Sequence, residues 1–315
     1  MQWFAQAPSN IALIKYMGKK NAETNLPLNP SLSYTLNALL SSVTLESQAG
    51  AHDIWEPLDL PGYKPFSLSS QAQTRFLQHL AKLKSHFNYT GTFIVRSCNN
   101  FPQASGLASS ASSFAALTLC ACRALSELTH TPLLSVEEQA QWSRKGSGSS
   151  CRSFFSPWAL WTENSVSAIE LPYPSLIHQA VIISNDEKGV SSSAAHQMIS
   201  TSPLYAARPQ QAADNLKALL NAFHAQEWKS AYEICWREFQ SMHALFTSCA
   251  TPFEYITPRS LEVLQLVQDL WAREQDGPIV TMDAGPNIHL LYRPDQLKLS
   301  RQFKQDHLVG NYDVI

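Results

Sequence analysis

Residues 99–110, Asn-Asn-Phe-Pro-Gln-Ala-Ser-Gly-Leu-Ala-Ser-Ser, join a stretch that alternates like a strand to one that repeats like a helix. Upstream, Thr92-Phe93-Ile94-Val95-Arg96 alternates polar with apolar, and downstream Phe114, Leu117, Ala121 and Leu125 recur at spacings of three and four. The loop therefore feeds a helix N-terminus, where unpaired backbone N–H groups and the positive end of the helix dipole face outward. Gly106, Ala108, Ser109 and Ser110 carry little bulk, so phosphate oxygens can approach that backbone closely. An Ala/Ser-rich linker would share this composition, but a linker is not expected between two ordered elements.

The length of 315 residues suggests two domains or one elaborated domain, and 44% hydrophobic residues suffice for a real core. Only 15% of residues are charged and the formal net charge is -2 with no Lys/Arg run, so no nucleic-acid partner is expected. Cys98, Cys120, Cys122, Cys151, Cys235 and Cys249 contain no C-x-x-C pair, and they read as reduced packing residues. No window approaches a membrane span, and Lys15 arrives before any signal-like apolar core, so a cytoplasmic protein off the membrane is expected.

Strand-like segments at 42–47 and 92–96 precede the helix after Gly106; the second half opens with the apolar run 180–183 and continues with helical periodicity at Leu216, Leu219, Leu220 and Phe223, then at Leu261, Leu264, Val267 and Trp271. Prolines at 172 and 174 suit neither helix nor central strand, which places a boundary near residue 178 and divides the chain into 1–178 and 179–315. The Pro-, Gly- and Ser-containing segment 49–70 is expected to form loops over the first domain. Near the end, 279–282 and 288–292 read as a hairpin whose turn, Asp283-Ala-Gly-Pro-Asn287, holds Asp283 at a strand end.

Several segments carry potential chemistry. After an apolar strand, Lys15, Tyr16, Lys19 and Lys20 gather where they could reach a pocket mouth, or form a solvated basic turn. Lys145-Gly-Ser-Gly-Ser-Ser-Cys-Arg152-Ser153 is a Gly/Ser turn whose arginine could fork a carboxylate, with a surface loop as the alternative. Lys188-Gly-Val-Ser-Ser-Ser193 again offers a cation and hydroxyls, and Asp283 supplies a carboxylate with little steric cover. No G-x-x-x-x-G-K-[ST], H-R-D or D-F-G signature occurs, so phosphate would be held by a different Gly/Ser loop.

Five segments in order, Ser9–Tyr16, Asn99–Ser112, Gly146–Ser153, Val190–Ser193 with Thr201–Leu204, and Met282–Asn287, resemble the diphosphomevalonate decarboxylase family of the GHMP kinase superfamily. The resemblance implies an α+β, two-domain GHMP kinase fold: an N-terminal domain of ribosomal S5 domain 2 type, a C-terminal ferredoxin-like domain, and an active site in the cleft between them. It implies ATP-dependent decarboxylation of mevalonate 5-diphosphate to isopentenyl diphosphate, with ATP and Mg²⁺ bound and a homodimer as the usual assembly. By the same resemblance Asp283, Arg152 and Lys19 are catalytic. Asn10, Tyr16, Lys19, Ser147, Ser149, Arg152 and Ser192 lie around the substrate. Asn99, Gly106, Leu107, Ala108, Ser109, Ser110 and Lys188 lie on the nucleotide side, with Ser110 toward Mg²⁺.

The chain departs from the family pattern at Met17 (usually Trp), Gln103 (Thr) and Ala195-His196 (Gly-Met), positions that shape the substrate pocket. A related small-molecule kinase that stops at a 3-phosphate, a phosphomevalonate decarboxylase and a non-catalytic ligand sensor are the alternatives.

Overall fold

The step from Pro8 to Ser9 governs how the first sheet is laid out. Strand Gln2–Ile14 pairs antiparallel with Ser31–Gln48, and the register jumps between Pro8, opposite Leu40, and Ser9, opposite Leu36. Proline has no N–H to give the ladder, so the longer strand bulges at this point. Asn100 closes the bulge: its Nδ2 donates to the Ala38 carbonyl at 2.9 Å and its Oδ1 accepts the Leu40 N–H at 2.8 Å. The computed structural model describes residues 1–61, 63, 67–101, 109–163, 165–184 and 189–315.

The far edge of the long strand pairs with Thr92–Asn99 along residues 41–48 and with Trp158–Trp161 along residues 31–34. Ile54–Pro57 and Val166–Ala168 complete a six-stranded sheet. Ile54–Pro57 corrects the expectation of loops throughout 49–70: it runs parallel to Thr92–Asn99, and Pro57, which cannot donate to a ladder, falls at its end on the sheet edge. Helix Ser109–Thr129 lies across this sheet, and its buried Ala115, Ala116, Cys120, Ala121 and Ala124 let it pack closely between the sheet and helices Ser70–His86 and Val136–Gly146. All six cysteines are free and buried, in keeping with the packing role read from the sequence.

The second sheet is antiparallel, in the order Ile279–Met282, Ile288–Tyr292, Ile177–Ile182, Asp313–Val314. Numbered along the chain, that order is 2-3-1-4, with helices between the first and second strands and between the third and fourth; this is the ferredoxin-like arrangement. The predicted hairpin forms with Met282 opposite Ile288, and Asn287 ties its turn to the next strand by accepting the Ile183 N–H at 2.6 Å.

The two halves share apolar packing. Leu13, Leu32 and Trp158 belong to one cluster with Ile182, Phe223 and Phe239. Helix Trp228–Ser248 touches both strand Gln2–Ile14 and strand Ile279–Met282, and Thr281 Oγ1 donates to the Ala12 carbonyl at 3.1 Å. The cleft between the sheets therefore has a rigid floor.

Two histidines give the fold an acid sensitivity. His79 is enclosed beside Phe114, and burial, reinforced by Lys82 and Lys145, lowers its pKa to about 3; His178, half-buried with its ring stacked on His289, is also pushed well below 6.5 by desolvation and by His289. The folded state excludes protons that the unfolded chain binds near pH 6.5, so stability is complete above that pH and falls as pH drops toward 3. At pH 5 His79 alone should cost about 2 kcal/mol, and His178 adds to the loss in the same direction. Urea unfolding at pH 7.5, 6.0 and 5.0 measures this, and His79→Asn should flatten the profile. Equal wild-type stability at pH 7.5 and 5.0 contradicts the assignment.

Candidate active site

Lys15 follows a buried apolar run, Ile11 to Ile14, and is itself 1% exposed. Its Nζ donates to Asp283 Oδ1 at 2.6 Å, where the hairpin turn meets the end of the first strand. Burial alone would raise the Asp283 pKa, but Lys15, His289 and Arg152 outweigh it and hold the carboxyl below the usual range, ionised at neutral pH. For Lys15, burial lowers the pKa and the Asp283 carboxylate opposes the shift.

The Lys15 backbone is fixed from the other side. Its N–H donates to Glu238 Oε1 at 3.0 Å, and its carbonyl accepts Asn29 Nδ2 at 2.8 Å and Arg208 Nη2 at 3.1 Å. Arg208 and Glu238 form a fully buried ion pair, and Asn215 Nδ2 donates to Glu238 Oε2 at 2.7 Å. The helix carrying Glu238 thus helps to fix the Lys15 backbone from which the ammonium reaches Asp283.

Arg152 is 3% exposed and lies on the 3₁₀ helix Gly148–Phe154. This segment is mostly buried, which removes the surface-loop alternative for 145–153. Its Nε donates to Asn10 Oδ1 at 3.1 Å and its Nη1 to Ser31 Oγ at 2.8 Å, while Nη2 has no protein partner among the described residues and the side chain lines a cleft of about 250 Å³. Asn10 stands behind the guanidinium rather than in the cleft: its Nδ2 donates to Ser153 Oγ at 2.8 Å and to the Ser149 carbonyl at 3.3 Å.

The same cleft brings together Tyr16, Lys19, Ser109, Ser110, Ser147, Ser149 and Ser192 from the sequence-derived set. Ser147 Oγ approaches Ser110 Oγ at 3.4 Å, joining the serine turn to the start of helix Ser109–Thr129. Asn99 lies outside the lining. Its Oδ1 accepts Ser41 Oγ at 2.6 Å, and Ser41 bonds Ser112 Oγ at 2.7 Å, so Asn99 ties the strand end to the helix start. Gly106, Leu107, Ala108 and Lys188 lie outside the described residues. Gly148 admits the Tyr16 ring; a Cβ there would fall 2.7 Å from Tyr16 Oη.

Sequence reasoning gave a site role to Lys19 and none to Lys15, Arg75 or His196, all of which line the cleft, although it placed Lys15 in the basic cluster and His196 among the positions that shape the pocket. The available signal for Lys15 was a charge continuing an apolar strand, which demands a partner when buried. Arg75 and Lys19 lie close enough that Arg75, after burial, lowers the Lys19 pKa. The described lining therefore holds two deep cations beside Asp283 and two outer cations, an arrangement suited to a ligand with a carboxylate at one end and phosphates at the other.

Residues 7–168 match the family model for the diphosphomevalonate decarboxylase-like N-terminal domain, and residues 179–308 match that for the mevalonate 5-diphosphate decarboxylase C-terminal domain. The chain belongs to the diphosphomevalonate decarboxylase family. A diphosphomevalonate decarboxylase of Debaryomyces hansenii is 30% identical over 92% of this chain and 79% of its own length. The crystal structure of a mevalonate diphosphate decarboxylase from Legionella pneumophila superposes with a TM-score of 0.95 at 61% identity, covering 100% of both chains. MDDEF, solved in complex with MVAPP, AMPPCP and magnesium, superposes at 0.85 with 30% identity over 100% of this chain and 96% of that one. The two-domain GHMP kinase-type fold expected from the sequence is thus the fold of this diphosphomevalonate decarboxylase family member.

Proposed function

We propose that the cleft binds Mg²⁺-ATP and mevalonate 5-diphosphate, and that the protein catalyses ATP-dependent decarboxylation to isopentenyl diphosphate, releasing ADP, phosphate and CO₂. The observation that carries this reading is the Lys15–Asp283 pair, set with the open edge of Arg152 at the floor of a cleft whose outer cations are Lys19 and Arg75. ATP supplies the phosphoryl group that converts a poor tertiary 3-hydroxyl into a leaving group. The relative solved with MVAPP, AMPPCP and magnesium supports this pairing of ligands.

Asp283 accepts the hydrogen bond of the 3-hydroxyl and orients its oxygen for phosphoryl transfer. A carboxylate with a depressed pKa is a weak base for an alcohol, so the proton leaves with phosphoryl transfer or after it. Lys15 keeps Asp283 ionised and fixed. Arg152 holds the substrate carboxylate through its open edge, with Asn10 orienting the guanidinium from behind. Tyr16, Lys19, Arg75, Ser147, Ser149 and Ser192 surround the 5-diphosphate. Ser109 and Ser110, with Gly106, Leu107, Ala108, Lys188 and the Asn99 strand end, form the nucleotide side.

The donor set fits Mg²⁺ delivered on the nucleotide. Among the described residues no three His, Cys, Asp or Glu side chains group as a metal cage, and the lining near the helix start offers hydroxyls. Magnesium typically keeps water and substrate phosphates as most of its ligands, leaving Ser110 as a protein oxygen. The reading divides the chain at 1–178 and 179–315, supported by family-model limits at 168 and 179, and places the protein as a cytoplasmic homodimer. In the described residues no helix is long and apolar enough to cross a membrane.

Arg152→Gln tests the carboxylate contact. Removing one side of a desolvated charge contact costs about 2–5 kcal/mol, so kcat/KM for mevalonate 5-diphosphate should fall by more than about 30-fold while the KM for ATP changes little. Unchanged kinetics would move Arg152 out of the substrate site.

A further inference from the structure

His196 is on helix Ser192–Met198, one turn beyond Ser192, and its ring lines the cleft. The Gly18 N–H donates to His196 Nδ1 at 3.0 Å, so Nδ1 presents a lone pair and the single ring proton of the neutral imidazole is on Nε2. Nε2 has no protein partner among the described residues. The ring orientation is fixed as well: it packs on Tyr16 with centroids 4.5 Å apart, and Tyr16 packs on Trp161 at the same separation. A histidine anchored at one nitrogen and unpartnered at the other, beside Lys19 and on the same helix face as Ser192, forms a directed donor at the anion end of the cleft.

We propose that the His196 Nε2–H donates a hydrogen bond to a phosphate oxygen of the substrate's 5-diphosphate, making His196 a determinant of substrate affinity; this rests on the reading of the cleft given above. A neutral donor suits that place. Lys19 and Arg75 already supply charge, whereas a fixed N–H supplies direction, and hydrogen bonds to charged acceptors are among the stronger ones. Burial, with Lys19 nearby, lowers the His196 pKa to about 3, which keeps the ring neutral at working pH.

The test separates the two ring nitrogens. His196→Met removes both and should raise the KM for mevalonate 5-diphosphate about 10- to 100-fold, with the KM for ATP unchanged. His196→Gln places an amide donor near the Nε2 position and should bring that KM back to within about threefold of wild type. His196→Asn keeps an acceptor near the Nδ1 position for Gly18, lacks the distal donor, and should remain as impaired as the Met variant. Rescue by Asn and not by Gln would show that the residue only anchors Gly18, and an unaltered KM in the Met variant, or an equal rise in the KM for ATP, would also overturn the proposal. Equal release of ADP and CO₂ by wild type is the control: a wild type that forms neither overturns both readings, whereas an active wild type with an unaffected Met variant overturns this one alone.

Discussion

Asp283→Asn is expected to lower kcat by about 10²–10⁴-fold while leaving the equilibrium binding of mevalonate 5-diphosphate and ATP within a few-fold of wild type. Asparagine keeps the size of the side chain and one acceptor for Lys15 Nζ, now 2.6 Å from the carboxylate, but loses the negative charge that receives the hydroxyl proton. Phosphoryl transfer comes first in the proposed sequence, so ADP and CO₂ should fall together. Isothermal titration for binding and product assays for turnover measure the two halves of the prediction. A variant that retained a tenth of wild-type kcat would remove Asp283 from the reacting hydroxyl.

Glu238→Gln should be the most disruptive substitution away from the cleft surface. It leaves Arg208, 1% exposed, without its carboxylate, and breaking a buried pair by removing one partner costs about 3–5 kcal/mol. Urea unfolding should report that loss. The activity consequence is separable from stability, because Glu238 Oε1 also accepts the Lys15 N–H and Arg208 Nη2 also donates to the Lys15 carbonyl. Replacing the pair together, Arg208→Met with Glu238→Leu, should recover much of the stability, since apolar residues of similar volume often substitute well for buried ions. It should not recover kcat, because the Lys15 N–H loses its acceptor and its carbonyl keeps only the Asn29 Nδ2 donor, which loosens the backbone that aims Lys15 at Asp283. Full kcat in the stable double variant would make the ion pair a matter of packing only.

What could be read from the sequence was local. The Asp283 hairpin needs only two apolar runs and a turn-forming Asp-Ala-Gly-Pro-Asn, and the structure forms it with Met282 opposite Ile288. The strand at Thr92–Asn99 and helix Ser109–Thr129 announce themselves by period. The choice among lysines was not local. Lys15, Lys19 and Lys20 occur within six positions, and only the contact between Lys15 and Asp283, 268 residues apart, distinguishes the partner of the carboxylate.

Other parts were hidden for the same reason. Helix Trp228–Ser248 escaped the periodicity reading although it buries Glu238, whose partners Arg208 and Lys15 are 30 and 223 residues away. Asn10 was grouped with substrate residues from its place in a motif, but its partner Arg152 lies 142 positions on, and the fold puts it behind the guanidinium. His196 stood out only as a departure from a family pattern. Its donor geometry required the Gly18 N–H, 178 residues away, to fix the tautomer.

The central claim is that one cleft phosphorylates a tertiary hydroxyl and completes a decarboxylation. Purified protein incubated with Mg²⁺-ATP and mevalonate 5-diphosphate, with ADP and CO₂ quantified in parallel, tests it most directly. Equal amounts of both products are predicted. ADP without CO₂ would make the protein a kinase that stops at the 3-phosphate, and that result would contradict the account.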